Sequence, residues 1–185
     1  MKYELIENFF DESIFKKYKN LMFHSESPWY LVDYANPNSE KNDFENQVVF
    51  CNALIDNGRF IHDKAHIYLD PIMNTLKKHK PNCGFDILGA KVNLFIKNNH
   101  NVKYGFHYDI GGDNDLIKYG KIIDTYETLI YYLNNNNGGT EFEDGTFVKQ
   151  KENTALLFKG RVLHQSVGQT DTKYRINVNI NFLRN

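Results

Sequence analysis

Cysteine is scarce in this 185-residue chain: Cys51 and Cys83 are the only two, far apart and without Cys-x-x-Cys spacing. That excludes a disulfide framework and a cysteine-built metal knuckle, and leaves two free thiols, each expected to pack in the core. Neither sign of charge is in excess. Lys and Arg total 22 against 23 Asp and Glu, a formal net charge of -1, so a general nucleic-acid or membrane-surface binder is not expected. No apolar run reaches the length of a membrane span, and Met1-Lys2-Tyr3-Glu4 lacks the apolar stretch of a signal peptide. The expected address is a reducing compartment, the cytoplasm, with no membrane and no nucleic-acid partner. Repeats and long linkers are also missing, so residues 1–185 read as a single domain.

The patterning divides that domain in two. Residues 1–85 read as mainly helical support. Asp11 is placed to cap a helix whose apolar positions Ile14, Phe15, Tyr18, Leu21 and Met22 recur at helical spacing. Ser25 to Asn46 reads as irregular. A second helical region spans roughly Asn57 to Lys80, with Ala65, Leu69, Ile72 and Leu76 as its stripe and Pro71 kinking it or starting a new helix. From residue 86 onward the period becomes two. Val92, Leu94 and Ile96 alternate with Lys91, Asn93 and Phe95, and Thr128, Ile130 and Tyr132 alternate with Leu129, Tyr131 and Leu133. Asn134 to Asn137 with Gly138-Gly139 read as a turn at positive φ, and Glu143-Asp144-Gly145-Thr146 as a hairpin turn. Ala155 to Phe158 makes a short apolar strand. The last strand sets Ile176, Val178, Ile180 and Phe182 on one face and Arg175, Asn177, Asn179 and Asn181 on the other. A ladder of Asn and Arg opposite an apolar face suits a strand lining a polar cavity. The fold expected is α+β: an antiparallel double-stranded β-helix (jelly roll) core, residues 86–185, braced by N-terminal helices.

The chemistry concentrates in four residues. His107 and Asp109 lie two apart, so on an extended segment they leave the same face. His164 follows the Ala155 to Phe158 strand, and antiparallel pairing can bring it alongside. Two imidazoles and one carboxylate cap one face of a metal ion and leave the opposite face open, the ligand set of a non-haem Fe(II) oxygenase. Arg175, eleven residues after His164, is a fixed cation suited to a dicarboxylic cosubstrate. A competing zinc-protease spacing, His62-Asp63-Lys64-Ala65-His66, has Asp where a Glu is needed and no third ligand.

With Phe106-His107-Tyr108-Asp109, Ile130-Tyr131-Tyr132-Leu133-Asn134, Gly138-Gly139-Thr140-Glu141-Phe142 and the His164 to Arg175 spacing in that order, the chain resembles the prolyl-4-hydroxylase-like Fe(II)/2-oxoglutarate-dependent dioxygenases from about residue 86 to the end. The resemblance implies Fe(II) on His107, Asp109 and His164, and 2-oxoglutarate as cosubstrate with its far carboxylate on Arg175 and Tyr132. Thr128 shares the Tyr132 face and joins them as a cofactor-binding candidate. Tyr104 is similar to an aromatic residue lining the family's metal pocket, and Asn93, Asn177 and Asn181 are further pocket or substrate candidates. O2 would be the second cosubstrate and ascorbate a stimulant, with succinate and CO2 released on hydroxylation of a C–H bond.

The retained carboxylate at Asp109 favours hydroxylation over halogenation. An Asn at position 181, where related nucleic-acid demethylases carry a second Arg, argues against base demethylation. A prolyl residue of a peptide or protein is the first substrate implied; a free amino acid or another small metabolite is an alternative, as is a non-catalytic, cupin-like metal-binding jelly roll. The segment Ile110 to Asp124 reads equally as a substrate lid or a surface loop. A monomer or a homodimer is compatible with the size.

Overall fold

A computed structural model describes residues 3–24, 27–32, 48–110 and 125–185. Strands β1 (Tyr3–Glu7), β2 (Tyr30–Val32), β3 (Val49–Asp56), β4 (Arg59–Phe60), β5 (Phe85–Ile96), β6 (Glu127–Tyr132), β9 (Thr154–Lys159) and β11 (Tyr174–Arg184) form one antiparallel sheet ordered β1-β9-β6-β11-β5-β3-β2, with β4 on β3. Strands β7 (Gly139–Phe142), β8 (Phe147–Lys149) and β10 (His164–Val167) form a smaller sheet, ordered β10-β7-β8. Isolated bridges from Lys103 to Val167 and from His107 to His164 lay the segment after β5 along β10. The architecture is the expected α+β jelly roll, with two helices among the described residues, α1 (Glu12–Met22) and α2 (Ala65–His79).

The period of two in β11 decides which face is which. Ile176, Val178, Ile180 and Phe182 are buried in one core with Phe15, Tyr18 and Met22 of α1 and Leu69, Ile72 and Leu76 of α2. Full burial of such side chains contributes about 1.5–3 kcal/mol each. The helices therefore cover the outer face of the large sheet, and the Arg175 and Asn ladder turns inward between the two sheets. There Ile130, Tyr132, Phe142, Leu156 and Phe158 form a second cluster. All four ladder residues are buried, Arg175 completely. A solvent-facing polar side would have left them exposed.

The first half departs from its helical reading, since β1 to β4 all lie within it. In β3, Asn52 and Ala53 interrupt the apolar pattern, and a register shift between Ala53 and Ile55 puts consecutive Leu54 and Ile55 into the core. Asn57-Gly58, both at positive φ (55° and 69°), turns β3 into β4, and an Asn-Gly pair suits such a two-residue hairpin. The second helix accordingly starts at Ala65, and it runs through Pro71 rather than restarting there. Asp11 occupies the N-cap of α1, but its carboxylate makes no cap hydrogen bond; its carbonyl accepts the Phe15 N–H at 2.9 Å. No residue of Asn134 to Asn137 has positive φ. Side-chain bonds hold that turn instead: the Asn134 Oδ1 accepts the Ile176 N–H, Asn136 Oδ1 the Gly138 N–H and Asn137 Oδ1 the Thr170 N–H. Gly139 is needed for space, since a Cβ there would lie 2.2 Å from the Val148 carbonyl oxygen. Both cysteines are free but half-buried rather than core.

Candidate metal centre and cosubstrate pocket

Mutual backbone hydrogen bonds set the ligand geometry. The His107 N–H donates to the His164 carbonyl at 2.9 Å and the His164 N–H to the His107 carbonyl at 3.2 Å. Asp109, two residues on at a bend, faces the same centre as His107. His107 Nε2 lies 3.8 Å from Asp109 Oδ1, and His164 Nε2 lies 3.5 Å from Asp109 Oδ2. One ligand atom from each of the three falls within 4.8 Å of the others. Each imidazole has its Nδ1 against a backbone carbonyl, Gly105 at 3.0 Å for His107 and Val162 at 2.9 Å for His164. A carbonyl only accepts, so Nδ1 carries the proton and Nε2 presents its lone pair to the shared centre. Phe158 packs edge-on against the His164 ring.

Asp109 is held from behind. Asn179 Nδ2 donates to both carboxylate oxygens, at 3.0 and 3.2 Å, and the Thr128 hydroxyl lies 3.2 Å from Oδ2 and 2.8 Å from Asn181 Oδ1. Asn181 in turn donates to Asn179 Oδ1. Burial of Asp109 pushes its carboxyl up, but His164, His107, Lys91 and the Asn179 amide together outweigh it and hold the group below its ordinary value. Burial depresses the His107 imidazole, so it is neutral at neutral pH. An ionised carboxylate and neutral imidazole are the protonation states a divalent metal requires.

Elsewhere on β11, Arg175 is a charge with no counter-charge among the described residues. It is fully buried, lies over the Phe95 ring at 4.1 Å, and makes one long bond from Nη1 to the Gly139 carbonyl at 3.4 Å. Its Nε and Nη2 have no hydrogen-bond partner among the described residues. Burial holds the guanidinium down to about 10, partly offset by the Tyr132 and Tyr104 hydroxyls beside it. Tyr132 is pushed up to about 12 by burial, against the bond of its hydroxyl to Thr140 Oγ1 at 2.8 Å. The Tyr104 hydroxyl is buried with no hydrogen bond of ordinary geometry. A buried cation left this way is costly unless an anion joins it.

A cavity of about 230 Å³ is lined by the three metal-cluster residues, by Asn93 and Asn177, and by Phe95 and Tyr104, which lie against the guanidinium. Asn93 donates to Asn177 Oδ1 at 3.0 Å. Thr128 and Asn181 lie at the metal cluster. They are paired across β6 and β11 behind Asp109, and Asn181 lies six residues from Arg175, roughly 20 Å along a strand. Thr128 thus stands behind the carboxylate rather than beside the arginine.

Asn179, Lys91, Cys51 and Ser166, none of them a site candidate from sequence, also line the cavity. Asn179 was legible as a rung of the polar ladder; Lys91 and Cys51 share no motif with the metal ligands. His62 precedes α2, its Nε2 against Asn52 Oδ1, while His66 Nδ1 faces the Asp63 carbonyl, so the pair does not share a helical face. Of the segment Ile110 to Asp124 only Ile110 is among the described residues.

No family model and no curated protein matches the chain by sequence. Solved structures do match in shape. A 2OG-Fe(II) oxygenase family oxidoreductase from Burkholderia pseudomallei superposes with a TM-score of 0.66 at 10% identity, over 98% of this chain and 84% of that one. The chain has the fold of the 2OG-Fe(II) oxygenases. A prolyl-4-hydroxylase from Pseudomonas putida, 14% identical, covers 99% of this chain and 92% of its own with a TM-score of 0.59. The epimerase SnoN, in complex with Fe3+, alpha ketoglutarate and nogalamycin RO, gives 0.61 at 12% identity, over 98% and 78%. The oxygenase fold therefore carries different reactions, and the substrate of this chain does not follow from shape. No helix among the described residues is long and apolar enough to cross a membrane.

Proposed function

We propose that the chain is an Fe(II)- and 2-oxoglutarate-dependent dioxygenase that hydroxylates a C–H bond, releasing succinate and CO2. The observation carrying this reading is the buried Arg175 guanidinium, its Nε and Nη2 without partners among the described residues, packed against Phe95 and beside Tyr104 in the wall of a cavity that also gathers His107, Asp109 and His164. A metal-binding jelly roll without turnover has no use for such a cation. Asn179 and Arg175 are four residues apart on β11, about 13 Å at ~3.3 Å per residue, a span suited to an arginine side chain plus a short dicarboxylate.

In this reading His107, Asp109 and His164 hold Fe(II), and Arg175, with the Tyr132 and Tyr104 hydroxyls beside it, takes the far carboxylate of 2-oxoglutarate. The iron with its cosubstrates supplies oxidative decarboxylation and the oxidising power for C–H cleavage. The protein supplies orientation. Asn179 and Thr128 fix the Asp109 carboxylate, the Gly105 and Val162 carbonyls fix the two imidazole tautomers, and the guanidinium fixes the cosubstrate at its remote end by charge-assisted bonds. Phe95 and Tyr104 beside the guanidinium, and Ile130 across from Asn179, give the cavity apolar walls that limit water.

A prolyl residue in a peptide or protein is the first substrate we propose, supported by the motif blocks and the likeness to a prolyl-4-hydroxylase; a free amino acid or other small metabolite is the next. The test is succinate formation from 2-oxoglutarate on adding O2 to anaerobically purified protein with Fe(II) and ascorbate. Succinate in the wild type and its loss in Asp109→Ala is the expected result. If succinate is absent and 2-oxoglutarate also fails to bind the metal-loaded protein, the chain is a metal-binding jelly roll.

A further inference from the structure

Apart from the Arg175 guanidinium behind Phe95, the cavity wall carries a positive charge that neither the metal nor the cosubstrate uses. Lys91 lies on the inward row of β5, with Asn179 as its Cα partner on β11 and Ala53 on β3. Two residues on, Asn93 pairs with Asn177 on one side and Cys51 on the other. Lys91 is thus one strand away from the amide that holds Asp109, on the side of the cavity away from Arg175. It lines the cavity described above and also a neighbouring one, beside Asp109, Asn179 and Asn181. It is the one Lys or Arg among the described residues lining the first cavity. Its ammonium exerts a field on Asp109, His107 and Cys51.

We propose that Lys91 determines substrate class: it receives a carboxylate or phosphate group, so that the oxygenase acts on an anionic molecule or an acidic site in one. This rests on the dioxygenase reading for its charge balance. Fe(II), the Asp109 carboxylate, the cosubstrate dianion and Arg175 sum to zero, which leaves Lys91 as uncompensated charge at the mouth. Asp56, the other described carboxylate near it, lines only the neighbouring cavity, where it accepts a bond from Asn57. No ion pair is formed by Lys91 among the described residues, and an exposed lysine on a cavity wall is free to pair with an incoming anion. The alternating wall of Lys91, Asn93, Cys51 and Ser166 offers donors, consistent with an acceptor-rich group.

Cys51 reports on this charge without any need for turnover. Alkylation by iodoacetate (anionic) and iodoacetamide (neutral) is followed at each cysteine by mass spectrometry, with half-buried Cys83 as internal reference, with and without Mn(II) and 2-oxoglutarate. A unit charge about 6 Å away in a largely aqueous medium favours an anion by about three- to tenfold. The iodoacetate-to-iodoacetamide ratio at Cys51 should exceed that at Cys83 by this factor, collapse in Lys91→Met and survive in Lys91→Arg.

The N-methylamide of N-acetylglutamate, whose single carboxylate is its side chain, should protect Cys51 from iodoacetamide where the neutral N-methylamide of N-acetylglutamine does not. Inorganic phosphate, run beside them, distinguishes a phosphate preference from a carboxylate one. Equal ratios at the two cysteines, an unchanged ratio in Lys91→Met, equal protection by acid and amide, or a Cys51 inert to both reagents would each overturn the proposal. So would loss of 2-oxoglutarate binding in Lys91→Met, which would make Lys91 a cosubstrate ligand. A Lys91 effect in a protein that forms no succinate would refute the dioxygenase reading alone.

Discussion

Replacing Arg175 with Met should separate two roles that a buried arginine can have, because the two predict opposite signs. Burial brings the guanidinium from 12.5 down to about 10, and at 1.36 kcal/mol per decade of proton affinity that is a cost of about 3 kcal/mol for keeping the cation in the folded chain. The folded value lies below the unfolded one, so this cost is fully present at neutral pH and is relieved only as pH rises through the folded value. The Phe95 ring at 4.1 Å returns about 1–2 kcal/mol, and the packing lost to the shorter side chain is about 1 kcal/mol. The balance is near zero or slightly in favour of Met. The cosubstrate-free variant should therefore melt at the wild-type temperature or up to about 4 °C above it.

Were Arg175 instead one partner of an internal ion pair, its removal would cost about 3–5 kcal/mol. Cosubstrate reverses the ranking. In the wild type, Mn(II) and 2-oxoglutarate at a hundred times Kd should add about 2.7 kcal/mol. In the variant the loss of charge-assisted bonds, about 3 kcal/mol or a hundredfold in Kd, should cut that shift to about 0.4 kcal/mol. Differential scanning fluorimetry with and without ligand reads both effects. A metal-loaded variant that 2-oxoglutarate stabilises as much as the wild type, or a ligand-free variant melting many degrees lower, would refute the reasoning.

Three other expectations concern the metal centre and its supports. Because burial lowers the His107 pKa, metal binding should persist below pH 6.5, the ordinary histidine value, and fall only as further acid protonates the ring; a Mn(II) titration against pH measures this, and a midpoint above 6.5 would contradict it. Asn179→Ala removes both bonds to the Asp109 carboxylate and should weaken metal binding about 10–100-fold with the fold retained, as calorimetry would show. Gly160→Ala would place a Cβ about 2.0 Å from the Tyr126 ring, whose hydroxyl ties Gly160 to Ile110 just beyond Asp109; denaturant unfolding should show a loss of about 2–3 kcal/mol, accompanied by weaker metal binding.

What could be read from the sequence was what a local period or a fixed spacing encodes. The β11 alternation was legible because its apolar residues are strongly apolar and its polar ones uniformly so, and it announced both the core face and the cavity face. The His107, Asp109 and His164 set was legible from spacing and order. Strand β3 was not, because Asn52, Ala53 and a register shift broke its period, although the Asn57-Gly58 turn after it was a usable signal. The positions of Thr128 and Asn181 could not be judged, since sharing a face does not say which row of the sheet a residue occupies; pairing with one another behind Asp109 follows from register alone. Lys91 escaped for the same reason, being near Asp109 only through Asn179 on the adjacent strand.

The central claim is that one centre takes both metal and 2-oxoglutarate. An α-keto acid chelating Fe(II) produces a visible charge-transfer absorption, so the direct measurement is an anaerobic titration of 2-oxoglutarate into Fe(II)-loaded protein. The account predicts a band that saturates at equimolar cosubstrate in the wild type, is absent in Asp109→Ala, and needs far more 2-oxoglutarate in Arg175→Met. Iron bound at His107, Asp109 and His164 with no band at any cosubstrate concentration would contradict it.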